Sequence, residues 1–416
     1  MSTRKKLFFG FFLMLALAAL FVSIRPQKGR VVGHFDRPDV PAYGARGPYH
    51  VGKRDMVMSG ERPLPMIIWY PAVPDGNTEA AVTYPYKIKM GAPFGRVTIA
   101  TATGQAVEMA QYDLSDGPYP LVILSPGFAI GSASYAWLAE HLASYGFVVI
   151  SPEHQETLDP QNELWSAAIT RLQDILAVFA YVDEQVKSGG MLAGLVDGEV
   201  TAVIGHSYGG YTALAAAGAQ IDTNSFETHC EDAVKADDPA AWLCEMLLPR
   251  LAEMADLADL DAVPEELWPD WSDSRVDAIV SMAGDAFFFG QVGLAEIDVP
   301  VLAIGGTADK DSPYLWGTYP TYEFASSPRK ARVALEDAEH MIFTNTCEST
   351  AWYAKPVVGE FCADSVWVRN EAHDLVNHLT TAFLLADLKH DSDACGRAAP
   401  DVVDPSRCLA YAAEGY

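Results

Sequence analysis

The stretch Val203-Ile204-Gly205-His206-Ser207-Tyr208-Gly209-Gly210 decides how this chain is read. It holds a G-x-S-x-G pattern centred on Ser207, between the mostly apolar run 200–204 and the small-residue run 208–219. The first reads as a buried strand and the second as a helix, the context in which this motif exposes a nucleophile. The requirement is steric. A residue held at so tight a strand-to-helix turn has a strained backbone, and its neighbours two positions away on either side must be small. Gly205 and Gly209 satisfy that. The turn lifts the hydroxyl into the open, and the helix N-terminus stabilises negative charge developing beside it.

Working outward, continuous apolar runs at 121–124 and 147–150 and largely apolar ones at 278–282, 299–304 and 331–335 read as further strands. Helical patterns over 135–145, 165–187 and 372–388 alternate with them, and Ser188-Gly189-Gly190 stops the longest. Near-continuous apolar strands alternating with helices predict a doubly wound, mostly parallel sheet covered on both faces, an α/β-hydrolase fold. Upstream, 66–70 ending at Pro71 reads as the first strand, Asp75-Gly76 as a turn, and 77–118 as irregular. The stretch 220–275 breaks the alternation. It is rich in Ala, Asp and Glu and carries a helical run over 247–260, so it reads as a helical cap insertion above the C-terminal edge of the sheet and a candidate lid. The core is then 48–219 and 276–390, followed by a tail over 391–416.

Composition sets the surroundings. A net charge of −27 on 416 residues argues against a nucleic-acid partner. Arg4, Lys5 and Lys6 precede an apolar run over 7–24 closed by Arg25-Pro26, so 1–25 reads as a signal peptide or a membrane anchor, with a linker over 26–47. Ala16-Leu17-Ala18 offers a small-x-small cleavage site, but hydrophobicity continues past it to Val22, and both options stand. Either places the rest of the chain outside the cytoplasm. The six cysteines, Cys230, Cys244, Cys347, Cys362, Cys395 and Cys408, form three pairs local in sequence, as short-loop disulfides in an oxidising compartment would. No C-x-x-C occurs, which counts against a zinc or thioredoxin-type site.

A serine hydroxyl needs a base, which in this fold follows the nucleophile in chain order together with its acid. His340, in Glu336-Asp337-Ala338-Glu339-His340-Met341 just after the last predicted strand, sits where the base belongs. His373, His378 and His390 fall on or after the final helix and read as solvated helix-face residues. Two acids compete. Asp309 follows the strand 299–304 and Asp285 follows the preceding strand; strand-end geometry favours Asp309, and Asp311 reads as surface. The oxyanion hole is expected from the backbone amides of Tyr208 and of Phe128, in the loop Ser125-Pro126-Gly127-Phe128. No metal or organic cofactor is required by this chemistry.

The elbow Gly205–Gly210, the loop Ser125–Phe128, Ser151-Pro152-Glu153-His154, Pro300-Val301-Leu302 through Asp309, and Ala338-Glu339-His340 resemble the dienelactone-hydrolase-like branch of the α/β-hydrolases related to platelet-activating-factor acetylhydrolase. The resemblance covers roughly 48–388, including a cysteine-bearing insertion. It implies ester hydrolysis by serine, histidine and aspartate, with short-chain acyl esters, acetylated phospholipids or polyesters as substrates. True dienelactone hydrolases use a cysteine where this chain has Ser207, so lactone opening is not implied. Acetylhydrolases of the branch take their acid from the position matching Asp285, and many bacterial relatives match Asp309 instead. Acyl transfer or amide cleavage by the same triad is the alternative enzyme reading; a binding protein on an inactive scaffold is the alternative from another class, opposed by the intact serine, histidine and acids.

Overall fold

Leu121, Val122, Ile123 and Leu124 are all fully buried, which an unbroken apolar strand achieves only with helices on both faces of its sheet. The computed structural model describes residues 40–60, 62–74, 82–397 and 408–414. The apolar N-terminus and the Asp75-Gly76 turn lie outside the described residues, among which no helix is long and apolar enough to cross a membrane.

The strands are β1 (His50–Met58), β2 (Leu64–Ala72), β3 (Thr83–Gly91), β4 (Gly95–Thr103), β5 (Val107–Glu108), β6 (Tyr119–Ser125), β7 (Val148–Pro152), β8 (Val196–His206), β9 (Val276–Met282), β10 (Val301–Gly306), β11 (Lys330–Leu335), β12 (Ser349–Thr350) and β13 (Cys408–Glu414). Ten of them form one sheet in the order β13-β11-β10-β9-β8-β6-β7-β2-β1-β5. From β7 to β11 every neighbouring pair is parallel, while β2 joins β7, and β13 joins β11, antiparallel. The helices that matter for the site are α1 (Ala136–Ser144), α2 (Pro160–Gln185), α3 (Tyr208–Ala216), α4 (Thr223–Lys235), α5 (Ala241–Leu247), α6 (Leu251–Leu257) and α7 (Arg369–Leu388). One core lies under α2 and α3, the other under α1 and α7.

Three features depart from the sequence reading. Strand β1 was not expected, since Gly52-Lys53-Arg54-Asp55 carries no apolar run. The stretch 77–118, read as irregular, contains the β3–β4 hairpin, which with β12 makes a separate three-stranded sheet. Its inward residues Tyr84, Tyr86 and Ile88 alternate with outward ones at strand period, and all three are buried. His373 and His378 are buried, not solvated. His373 stacks on Trp137 with ring centroids 3.8 Å apart and bonds the Ile342 carbonyl, while the Tyr43 amide donates to His378. The reason is that α7 packs on the sheet and beside α1, so two of its faces are covered.

Between α3 and β9, residues 220–275 hold α4, α5 and α6. Cys230 on α4 is joined to Cys244 on α5, and Cys347 to Cys362. The side chains of Cys395 and Cys408 lie outside the described set.

Candidate active site

Register places the working loops. Ser125 pairs with Gly205 at the ends of β6 and β8, so the Ser125–Phe128 loop and the Ser207 turn leave the sheet side by side. Gly306 pairs with Leu335 at the ends of β10 and β11, which sends Asp309 and His340 off the same edge.

Ser207 has φ +58° and ψ −125°, a backbone state L-residues rarely occupy and which marks strained functional positions. It survives because its flanks are glycine. A Cβ on Gly205 would lie 1.9 Å from the Gly209 carbonyl oxygen, and one on Gly209 would lie 2.0 Å from that of Ser125. The Ser207 amide donates to the Met282 carbonyl, and its side chain is half-buried at the head of α3. Tyr208, the first residue of α3, has an amide with no intrahelical acceptor.

His340 begins a short 3-10 turn after β11. Its Nδ1 donates to Asp309 Oδ2 at 2.7 Å. Asp309 Oδ1 accepts from the amides of Asp311 and Ser312, each at 2.9 Å, which orients the carboxylate. Asp285 does not hydrogen-bond the imidazole; its Oδ1 accepts from Ser312 Oγ at 2.6 Å. Electrostatics separates the two acids. Burial opposes a charge on His340, but Asp309 by charge and hydrogen bond, with Asp311 and Asp285 behind it, pushes its pKa up to about 9. Burial pushes Asp285 up to about 7 against the Ser312 bond and the His340 charge. Asp311 is exposed. Asp309, Asp311 and His340 bring three possible ligand atoms within 4.8 Å of one another, but the Nδ1–Oδ2 contact is already filled by a shared proton.

The amide of Phe128 is aimed by its own peptide plane. The Gly127 carbonyl accepts from Arg171 Nη2 at 3.1 Å, and in a trans peptide the N–H points opposite the C=O. The Phe128 N–H therefore faces away from the buried arginine. Arg171 also donates to the Pro126 carbonyl at 2.6 Å and to Glu156 at 2.5 Å, and Glu156 accepts from the Ala129 amide. Burial disfavours the Glu156 charge, yet Arg171 and Lys89 outweigh it and hold the carboxyl well below the usual range. A second serine–histidine–aspartate array lies beside this ion pair: Ser125 Oγ to His154 Nε2 at 3.0 Å, and His154 Nδ1 to Asp174 at 2.8 Å. Ser125 and His154 have no exposed surface, so this array ties the strand end in place and meets no substrate. None of Arg171, Glu156 or Asp174 was singled out from sequence; for Arg171 and Asp174 the available signal was a charge among the buried residues of α2, and Glu156 lies in the loop before it.

The strand order, the crossover pattern and the strained serine between β8 and α3 define the class: the chain belongs to the α/β-hydrolase superfamily. More narrowly, the family model described as PET hydrolase-like matches residues 94–226, which span the Phe128 loop and Ser207 but not Asp309 or His340. Cutinase 2 of Thermobifida cellulosilytica is 33% identical over 111 residues, 27% of this chain and 39% of the relative. A bis(hydroxyethyl) terephthalate hydrolase of Streptomyces coelicolor is 35% identical over 103 residues, 25% of this chain and 30% of the relative. Chlorophyllase-1 of Arabidopsis thaliana is 26% identical over 153 residues, 35% of this chain and 45% of the relative. The chain thus spans less than half the length of each of these relatives.

Proposed function

We propose that the protein is a serine hydrolase that cleaves carboxylic esters through a covalent acyl-enzyme. The observation that carries this reading is the 2.7 Å bond from His340 Nδ1 to Asp309, formed on the loop edge that also bears the strained Ser207. Asp309 fixes the imidazole with its proton on Nδ1, leaving Nε2 as the base. His340 takes the Ser207 proton as Oγ attacks the ester carbonyl, and the Tyr208 and Phe128 amides hold the oxyanion. On collapse the C–O bond breaks, and the imidazolium returns its proton to the departing alcohol. A water deprotonated by His340 then attacks the acyl carbonyl, regenerating Ser207 and releasing the acid.

The cutinase and terephthalate-hydrolase relatives support small-molecule or polymer esters as the substrate class. Two disulfides support an oxidising, extracytoplasmic setting, with the N-terminal apolar run as leader or anchor. The helices over 220–275 fit the role of a lid. The test is a p-nitrophenyl ester series from acetate to laurate, run beside an acetyl-phospholipid and a polyester film. Release of p-nitrophenol that is lost in Ser207→Ala is expected. Turnover unchanged in that variant, or none on any ester, overturns the reading.

A further inference from the structure

His206, the residue between Gly205 and the nucleophile, has 1% of its surface exposed and cannot meet substrate. It is nonetheless the centre of a chain of hydrogen bonds. The Gly127 amide donates to Tyr135 Oη at 2.9 Å, Tyr135 Oη lies 2.9 Å from His206 Nδ1, and His206 Nε2 lies 3.0 Å from the His340 carbonyl oxygen.

The direction of every proton in this chain is determined. A carbonyl oxygen only accepts, so His206 Nε2 carries a hydrogen. Tyr135 Oη already accepts from Gly127, and its own hydrogen points to the lone pair on Nδ1. The ring is therefore neutral, and a proton on Nδ1 would leave the buried tyrosine hydrogen without an acceptor. Burial, with the His340 and Arg369 charges, holds the imidazolium form well below the usual histidine range, in agreement with that assignment.

The topology gives this chain its significance. β6 and β8 are neighbours, but β11 is separated from β8 by β9 and β10. Ladder bonds thus fix the Gly127–Phe128 loop beside Ser207, yet they do not fix the His340 loop to either. The imidazole of His206, with its ring centroid 4.7 Å from that of His340, bridges that gap. We propose that His206, working through Tyr135, is a positioning residue that holds the oxyanion loop and the His340 loop in one fixed register around Ser207. The names of those loops rest on the hydrolase reading above; the tie itself rests on the three hydrogen bonds.

Three single variants, one double variant and one spectroscopic reading test this. Tyr135→Phe removes one oxygen from the chain. His206→Gln keeps a donor for the His340 carbonyl but loses the Nδ1 acceptor, and His206→Phe removes both links. Losing an oxyanion donor outright costs roughly 10²–10³-fold in turnover, and misaiming one costs less. The expected losses in kcat on p-nitrophenyl butyrate are therefore about 10-fold for Tyr135→Phe and His206→Gln and about 100-fold for His206→Phe, with KM changed less than about two-fold. The Tyr135→Phe/His206→Phe double variant is expected to be no slower than His206→Phe alone, because the chain acts as a unit. In the wild-type protein, ¹⁵N NMR is expected to show His206 protonated at Nε2 and bare at Nδ1 from pH 5 to 9. Wild-type kcat in His206→Phe, additive losses in the double variant, or a proton on Nδ1 overturns the proposal. So do losses confined to thermal stability with kcat per labelled site unchanged. Should His206→Phe not fold, Tyr135→Phe and His206→Gln carry the same kinetic comparison. A wild-type protein that takes no fluorophosphonate removes the hydrolase reading and the positioning role with it, while the NMR result still decides whether the tie exists.

Discussion

Replacing Asp309 by asparagine isolates the charge on which the candidate base depends. The side chain keeps its size, and its amide oxygen still accepts from the Asp311 and Ser312 amides that orient the native carboxylate. What changes is the atom 2.7 Å from His340 Nδ1, where a donor NH₂ replaces an accepting oxygen. The imidazole then turns its lone pair to Nδ1 and its proton to Nε2, the atom that must receive the serine proton. The structure also sets the size of the electrostatic effect. His340 rises from 6.5 to about 9 despite burial, and at about 1.4 kcal/mol per unit this is roughly 3 kcal/mol in favour of the imidazolium. The assay is kcat and kcat/KM on p-nitrophenyl butyrate from pH 5 to 10, with urea unfolding at both ends of the range. In the wild type, kcat/KM should climb with pH to a midpoint near 9, since the base works only when neutral. In Asp309→Asn that midpoint should fall by more than about one unit, and kcat by about 10⁴-fold, the usual cost of a wrong tautomer. Stability runs the other way. A folded pKa above the unfolded one means the pair's contribution is complete below about pH 6.5 and is lost as pH rises through about 9. The variant should lack that loss. Turnover within tenfold of wild type, at an unmoved midpoint, would refute the reasoning.

Asp285→Asn should cost less than about tenfold in turnover, because Ser312 still has an acceptor. Its stability relative to wild type should rise from the unfolded value of 3.8 up to about pH 7 and level off above it, because over that window the native carboxyl stays protonated while the unfolded one ionises; a dead enzyme here, with Asp309→Asn active, would exchange the two acids. Arg171→Met strands the Glu156 carboxylate and should destabilise by about 3–5 kcal/mol in urea unfolding, with part of the loss recovered at low pH as Glu156 takes a proton. An unchanged midpoint would mean the ion pair does not hold the oxyanion loop. Replacing Cys230 and Cys244 by serine opens a loop of 14 residues and should cost roughly 3 kcal/mol; no change on replacement would deny the disulfide a stabilising role.

The parallel half of the sheet was legible because a strand buried on both faces must be almost entirely apolar, as 121–124 and 202–204 are. β1 was not, because Gly52-Lys53-Arg54-Asp55 carries no apolar signal and antiparallel pairing with β2 supplies the order. The β3–β4 hairpin left a signal that went unread, the alternation of Tyr84, Tyr86 and Ile88. Ser207 was visible because its demand is local: two glycines within two residues. His340 and the two aspartates were singled out by their place after strands, which favoured Asp309 over Asp285 but could not show which carboxylate faces the ring; that contact is made by Asp309. The tie through Gly127, Tyr135, His206 and His340 was beyond reach from sequence. Its members lie up to 134 positions apart along a single bond, and no local pattern marks a tyrosine or a histidine as partners across that span.

The measurement that tests the account most directly is covalent modification by a fluorophosphonate followed by peptide mass mapping. One adduct per chain, on the peptide bearing Ser207 and absent from Ser207→Ala and strongly slowed in His340→Ala, is the expected result. A native, folded protein that stays unmodified, or one that carries its adduct on another residue, would contradict it.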